Sequence, residues 1–401
     1  MTRRERVMNA VNFKPVDKLP KDLGGMASTG ISCFAYEKLV KYLGLPERYT
    51  KVWDTTQMLA LPDLDVLDAL DCDVVMLASE GVTNAFEQPQ LWKPYDFNGR
   101  LKTGAVMHPE DYEIKSDGSI IQYGSMEMVP DSYVFDFPPE PNSLIDDPVK
   151  DSLEDVEAHM EASMPNDDYL RMLEETCKRI RNESDRALFF NGYRAEIGFR
   201  GGIANFSVLC LTEPDYVKEI NDLVTRLSIK RLNLVLQAIA PYTDIMMTLA
   251  EDLGTQNATI ISPEACNELF MPYMARINEF SHKTAPHIKT FMHCCGAIYD
   301  IIDSLIDAGI DILNPVQWSA GGHSYKEWKD KALGRIALWG GGVNSQSTLP
   351  LGSAEDVENE VGLVCDYLSK DSGYVFSCTH NILAEIQPEK VAAMYKAASK
   401  F

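Results

Sequence analysis

The chain has 401 residues, of which 45% are hydrophobic and 24% are charged, and its formal net charge is −23. These proportions are typical of a soluble globular protein, and the excess negative charge argues against nucleic acid as a partner because phosphates would be repelled. No stretch approaches the roughly 18 uninterrupted apolar residues of a membrane helix, and the N-terminus lacks the apolar core of a signal peptide. With nine scattered cysteines, we expect reduced thiols and a cytoplasmic location.

The N-terminal segment begins with an amphipathic pattern that predicts a helix over Thr2–Asn12. Lys18–Gly25 predicts a short strand that ends in a glycine turn. The small residues of Gly24–Gly30, which surround Met26, suit a loop that a ligand can approach closely. A simple turn into the next predicted helix, Cys33–Leu43, is the alternative interpretation of this loop.

A helix over Asp63–Leu70 and a buried strand over Cys72–Leu77 come next, and the pattern then changes. From about residue 88 to residue 136, strand-like alternation and turn dipeptides predict an antiparallel insertion on the main domain. The turn dipeptides are Asn98-Gly99 and Asp117-Gly118. The prolines that follow indicate a linker, and they are Pro138, Pro139, Pro141 and Pro148.

Beyond Leu153 helices and apolar strands alternate to the end of the chain. Counting from the N-terminus gives eight strands, nearly all separated by helices. They start near Lys18, Cys72, Arg186, Tyr242, Ile288, Ile310, Arg335 and Tyr374. Eight βα units close into a (β/α)8 barrel, and this α/β fold in a single domain, with the β insertion, is the predicted architecture.

The most informative stretch is Ile288–Gln317, which predicts one strand–helix–strand unit. Its first strand runs into His293, Cys294 and Cys295. Side chains two positions apart in an extended segment lie on the same side, so His293 and Cys295 can share one ion. Histidine and cysteine are preferred zinc ligands, and we interpret this pair as two ligands of a zinc ion. For Cys294 a buried thiol facing the helical layer is preferred.

Zinc needs about four ligands, and the other candidates also follow predicted strands. Cys378 or His380 follows the last strand and can supply the third, while Glu251 or Asp252 can supply the fourth. A barrel would bring all these strand ends to one mouth. The glycine run at 340–342 could cradle a phosphate or simply allow a large ligand to approach. Trp318 and Trp339 could wall a pocket or pack in the core.

Five segments carry a resemblance to the uroporphyrinogen decarboxylase superfamily, and the resemblance extends over nearly the whole chain, least over the insertion at 88–136. They are TRRERVMNAVNFKPVDKLPKDLGG, GTQNATIISPE, HCCGAIYDIIDSLIDAGIDILNPVQ, ALWGGGVNSQSTLP and FSCTHNILAEIQPEKV. The resemblance implies a (β/α)8 barrel and is stronger to the cobalamin-dependent methyltransferase branch than to the decarboxylases. That branch holds zinc with a His-x-Cys-Gly motif and a later cysteine. His293, Cys295 and Gly296 match the motif, and we expect Cys378 as the later ligand, with His380 as the alternative.

The resemblance further implies a methyl transfer between a small substrate and the cobalt of a corrinoid, a cobalamin carried by a small partner protein. Glu251 and Asp252 are the expected catalytic residues. The residues expected to bind substrate or cofactor are Met26, Gln256, Trp318, Asn344, His380 and Asn381. A methoxylated aromatic is the expected methyl donor, because the presumed pocket offers aromatic side chains and few cations. The alternatives are decarboxylation of a small carboxylated substrate and a non-catalytic tetrapyrrole-binding protein.

Overall fold

The structure is a computed structural model that describes residues 1–137 and 148–401. The prolines of the predicted linker at 138, 139 and 141 lie outside the described residues. In chain order the strands are β1 Thr50–Asp54, β2 Leu59–Ala60, β3 Val74–Leu77, β4 Lys93–Pro94, β5 Gly104–Val106, β6 Tyr112–Ile114, β7 Ile120–Gln122, β8 Met126–Met128, β9 Ala187–Phe190, β10 Ile245–Ala250, β11 Lys289–His293, β12 Ile312–Asn314, β13 Ala337–Trp339 and β14 Tyr374–Val375.

The α-helices surround these strands. In chain order they are α1 Arg3–Val11, α2 Cys33–Tyr42, α3 Leu64–Ala69, α4 Leu153–Ala162, α5 Asp167–Glu183, α6 Ile203–Thr212, α7 Pro214–Ile239, α8 Pro263–Leu269, α9 Met271–Thr284, α10 Ile302–Asp307, α11 Tyr325–Ala332, α12 Thr348–Leu351, α13 Ala354–Leu368 and α14 Pro388–Ala398. The capping box of α1, in which Thr2 and Glu5 exchange hydrogen bonds, explains why this helix begins where the sequence predicts.

Seven parallel strands form the main sheet, in the order β14-β13-β12-β11-β10-β9-β3. The segment around Lys21 closes the gap between its two edges: the N–H of Asp22 donates to the carbonyl of Phe376 at 2.8 Å, and the N–H of Asp73 donates to the carbonyl of Lys21 at 2.8 Å. This pairing is confined to a single bridged residue, since Pro20 has no N–H to extend it. The (β/α)8 barrel prediction is confirmed, with its first strand reduced to this bridge.

The barrel interior is filled by inward-facing side chains from every strand of the main sheet. Phe189, Phe291 and Trp339 pack edge to face, with ring centroids 4.8–6.2 Å apart. Trp339 is fully buried and therefore belongs to the core rather than to a pocket wall. The base of the barrel is closed by the buried face of α1, whose Val7 and Val11 join the same interior cluster.

Alternate residues of the strands face outwards and form a second core with the helices. This outer layer contains most of the cysteines, which are free thiols; all nine lie in the described residues, and all but the half-buried Cys295 are buried. Among the described helices, none is both long enough and apolar enough to cross a bilayer.

The region predicted to be an antiparallel insertion contributes strands to two small sheets. Strands β6, β7 and β8 form a meander, and β4 pairs with β5, which in turn runs parallel to β1. Four aromatic rings hold this region together at centroid distances of 4.8–5.9 Å. They belong to Tyr95, Phe97, Tyr112 and Phe135.

Candidate metal centre and cavity

His293 is the last residue of β11, and its ring is held by the neighbouring strand. Its Nδ1 lies 2.7 Å from Oδ1 of Asn314. The Nδ2 of Asn314 donates to the carbonyl of Trp339 at 3.0 Å, so the amide oxygen is the atom that faces the imidazole. Nδ1 therefore carries the proton and Nε2 is left with its lone pair, which is the tautomer that a metal ligand requires.

Two further donor atoms lie close to that lone pair. Ligand atoms of Asp252, His293 and Cys295 all lie within 4.8 Å of one another. The Nε2 of His293 is 3.5 Å from Oδ1 of Asp252, and the same oxygen accepts the backbone N–H of Cys295 at 3.1 Å. We call these three residues the donor group. A nitrogen, a sulfur and an oxygen converging in this way fit a zinc ion, with room for an exchangeable ligand.

The position of Cys295 depends on two glycines and not on strand alternation, since β11 already ends at His293. Gly296 has φ +89°, and a Cβ there would lie 2.4 Å from the backbone of Gly254. The N–H of Ala297 donates to the carbonyl of Thr255 at 2.7 Å. The loops after β10 and β11 are thus pressed together, which brings Asp252 and Cys295 to the same point.

The electrostatics of the donor group also suit a cation. Burial, and then the nearby carboxylate of Asp252, raise the pKa of the Cys295 thiol to about 12. Burial opposes ionisation of Asp252 as well, but His293 and the hydrogen bonds from Cys295 outweigh it, and the pKa of Asp252 is lowered. A thiol beside a carboxylate favours a divalent cation, because the cation stabilises both ionised forms.

Cys378 is not part of this group, which corrects its expected role as third ligand. Tyr374, Phe376 and Cys378 all belong to the outer core, whereas Val375 belongs to the barrel interior. The Cys378 thiol is therefore packed in the outer core, 2% exposed. His380, the alternative, lies at the mouth, with its ring centroid 5.4 Å from that of His293.

The donor group opens into a cavity of about 660 Å³ at the carboxyl ends of the strands. Ser28, Glu251, Asp252, His293 and His380 are among its lining residues. Glu251 accepts the backbone N–H of Phe199 at 3.0 Å, and burial raises its pKa. Burial and the neighbouring His293 lower the pKa of His380 to about 4, so this ring is neutral at neutral pH.

Two further predicted binding residues act beneath or beside the cavity. Met26 lies in the barrel interior, where its Sδ accepts the N–H of Ser28 at 3.0 Å. Asn381 accepts the N–H of Gly30 at 3.0 Å and donates to Gln57 at 2.9 Å. Both residues position the glycine loop and the lining residues Ser28 and Gln57, and neither is itself among the lining residues.

Gln256, Trp318 and Asn344 lie outside the cavity lining. Gln256 and Trp318 tie neighbouring loops together, whereas Asn344 forms hydrogen bonds within its own loop. Gln256 donates to the carbonyl of Ser319 at 2.8 Å, Trp318 donates to that of Gly341 at 2.8 Å, and Asn344 accepts the N–H of Gln346 at 3.0 Å. The glycines at 340–342 pack against Val316, Phe376 and Ser377. Their small size therefore serves close packing of strand ends.

The sequence interpretation missed several residues of the site. Asn314 could have been noticed as a polar residue ending an otherwise apolar strand. The cavity wall also contains Tyr193, Arg194 and Arg231, which the sequence interpretation did not single out. Arg194 is likewise a polar residue that follows an apolar strand, so it could have been noticed. Arg231 lies within α7, where no sequence pattern marks it as a cavity residue.

Comparison with known proteins agrees with the sequence resemblance. The family model described as uroporphyrinogen decarboxylase (URO-D) matches residues 133–401. A uroporphyrinogen decarboxylase from Pseudomonas fluorescens is 30% identical over 96 residues, and this match spans 24% of the chain and 25% of that relative. A methyltransferase from Methanosarcina mazei superimposes with a TM-score of 0.54 at 16% identity, over 100% of this chain and 99% of the other.

Proposed function

Since the chain belongs to the uroporphyrinogen decarboxylase family, whose model covers residues 133–401, we propose that it is a zinc-dependent methyltransferase working with a corrinoid protein. The observation that carries this proposal is the donor group, whose histidine presents Nε2 because Asn314 holds Nδ1. The fold shared with the Methanosarcina mazei methyltransferase is compatible with it. A methoxylated aromatic is the proposed methyl donor.

His293, Cys295 and Asp252 would hold the zinc ion. When bound, zinc supplies Lewis acidity at the heteroatom that carries the methyl group. A corrinoid carried by the partner protein would supply the cobalt that accepts the methyl group, and the substrate's oxygen would keep the electron pair of the broken bond. The chain's own residues orient this reaction: Asn314 fixes the imidazole, Ser28 lies 3.5 Å from Nε2 of His293, and Glu251 and His380 line the approach.

Asp252 is the donor most able to exchange for substrate. Its side chain is 51% exposed, whereas that of His293 is 9% exposed, so a carboxylate can swing away at little cost in packing. His293 is fixed by a buried hydrogen bond and Cys295 by the pressed loops. We therefore assign Asp252 the role of a replaceable ligand and the other two the role of permanent ones.

Decarboxylation of a small acid is the second candidate, favoured by the matched family model. Such a reaction would not need the donor group. The two candidates are separated by metal dependence, because decarboxylation should survive removal of zinc and methyl transfer should not.

The test compares Cys295→Ser with Cys378→Ser. The second variant is the control, because the same substitution removes a thiol from the outer core. We expect about one zinc per chain in the wild type and in Cys378→Ser, and little in Cys295→Ser. Methyl transfer is monitored as the disappearance of the Co(I) corrinoid spectrum when a methoxylated aromatic is added. We expect this activity to be absent from the variant that lacks the metal. Full activity in the metal-free protein would refute the proposal.

A further inference from the structure

Two arginines that line the cavity have no ion-pair partner among the described residues. Arg194 follows β9, and Arg231 projects from α7; both line the cavity. Among the arginines of the described residues, these two alone have neither a hydrogen bond nor an ion pair from the guanidinium. Arg231 contacts the ring of Tyr193, with 5.9 Å between Cζ and the ring centroid.

Unpaired arginines are unexpected in this chain, where 60 acidic residues outnumber 37 basic ones. Nearby arginines are paired: Arg200 with Glu196 at 2.8 Å and Arg226 with Glu157 at 2.8 Å. A guanidinium offers a rigid fork of donors suited to a carboxylate or phosphate. The pair at the cavity therefore has the chemistry of a site for an anionic group.

The acidic residues of the same cavity have partners of their own. Asp54 accepts the backbone N–H of Gln57 at 2.9 Å, Glu251 accepts that of Phe199 at 3.0 Å, and Glu196 pairs with Arg200. Arg194 is near enough to Glu251 to act on its pKa, without forming an ion pair. Asp252 belongs to the donor group. Within the described part of the chain, no carboxylate forms an ion pair with either guanidinium, so both can meet a ligand.

We infer that Arg194 and Arg231 bind a carboxylate on the substrate while its methyl-bearing end lies at the donor group. The substrate class becomes a methoxylated aromatic acid rather than a neutral ether. This inference rests on the proposed function for the identity of the methyl-bearing end. The cavity volume of about 660 Å³ is ample for a single substituted ring.

The test measures binding by calorimetry with two probes of nearly equal size, para-methoxybenzoate and its neutral amide. The variants are Arg194→Gln and Arg231→Gln, and Arg226→Gln on the outer face of α7 is the matched control. We expect the wild type to bind the acid about 10-fold or more tightly than the amide. Each cavity variant should lose about 10-fold for the acid and little for the amide, and the control should behave as wild type.

Equal losses for acid and amide, or none for either, would overturn the inference. Inorganic phosphate serves as a third probe, because a corrinoid also carries a phosphate. Phosphate binding that depends on both arginines, with no preference for the acid over the amide, would assign the pair to that phosphate and refute a substrate carboxylate. Binding is measured with and without a chelator, and methyl transfer is measured separately. If the acid binds through both arginines but no methyl group is transferred, the proposed function is refuted and the anion site stands.

Discussion

Replacing Asn314 by leucine tests whether this asparagine acts through His293 or only supports the barrel. The side chain is fully buried, and leucine fills a similar volume without polar atoms. The change removes the acceptor for Nδ1 of His293 and the donor to the carbonyl of Trp339. The imidazole is then free to rotate or to change tautomer, so we expect weaker zinc binding.

The magnitude follows from these two contacts. Each lost hydrogen bond, with a buried partner left unsatisfied, costs about 1–2 kcal/mol, and the apo protein should lose about 2–4 kcal/mol of unfolding free energy. Removing the outer partner of a metal-bound histidine costs about 10- to 100-fold in metal affinity. That range corresponds to about 1.4–2.8 kcal/mol.

Asn278 provides the control, because it is also fully buried and makes two comparable hydrogen bonds. It accepts from Thr248 and donates to the carbonyl of Ala308, both at 2.9 Å. Asn278→Leu should lose similar unfolding free energy in denaturant but keep wild-type zinc affinity, measured by competition with a chromogenic chelator. Equal zinc affinities in the two variants would refute the role assigned to Asn314.

Two further predictions concern backbone and charge. Gly296→Ala should lower the unfolding free energy by several kcal/mol and reduce the zinc content, because its Cβ would overlap Gly254. In the control Gly322→Ala, φ is +77° but the space is open, so the loss should be about 1 kcal/mol. Similar denaturation midpoints and zinc contents in the two variants would contradict this prediction. Burial raises the pKa of Asp22 from 3.8 to about 6, so between these values the unfolded chain ionises while the folded one holds its proton. Unfolding free energy should therefore fall by about 3 kcal/mol as pH rises through that window, and Asp22→Asn should lack this decline; identical pH profiles would refute it.

The barrel could be predicted because apolar strands alternate with amphipathic helices, and this pattern depends on local sequence. The segment at Lys21 was predicted as a strand and contributes one bridged residue, since the proline before it limits pairing. The pairing of His293 with Cys295 was predicted from strand periodicity, but the structure achieves it through the contact between Gly254 and Gly296. That contact joins two loops, and no single segment reveals it.

The positions of the remaining site residues depend on which face of a strand a side chain occupies and on helices that are distant in the sequence. Whether Cys378 faces the barrel mouth or the helices changes with one residue of register, which an apolar run does not specify. Gln256 and Asn344 are predicted to bind substrate or cofactor, but Gln256 joins two loops and Asn344 forms hydrogen bonds within its own loop. Arg231 reaches the cavity from the middle of a long helix, so only the packing of α7 could reveal it.

Helix α1 closes one end of the barrel, so the cavity opens only at the carboxyl ends of the strands. With Val7 and Val11 filling the base, a small molecule must come and go through the same doorway over which, on the proposed function, the corrinoid protein docks. Traffic would then be strictly ordered: the methyl donor enters first, the partner covers it, and the demethylated product departs only after the partner has lifted away.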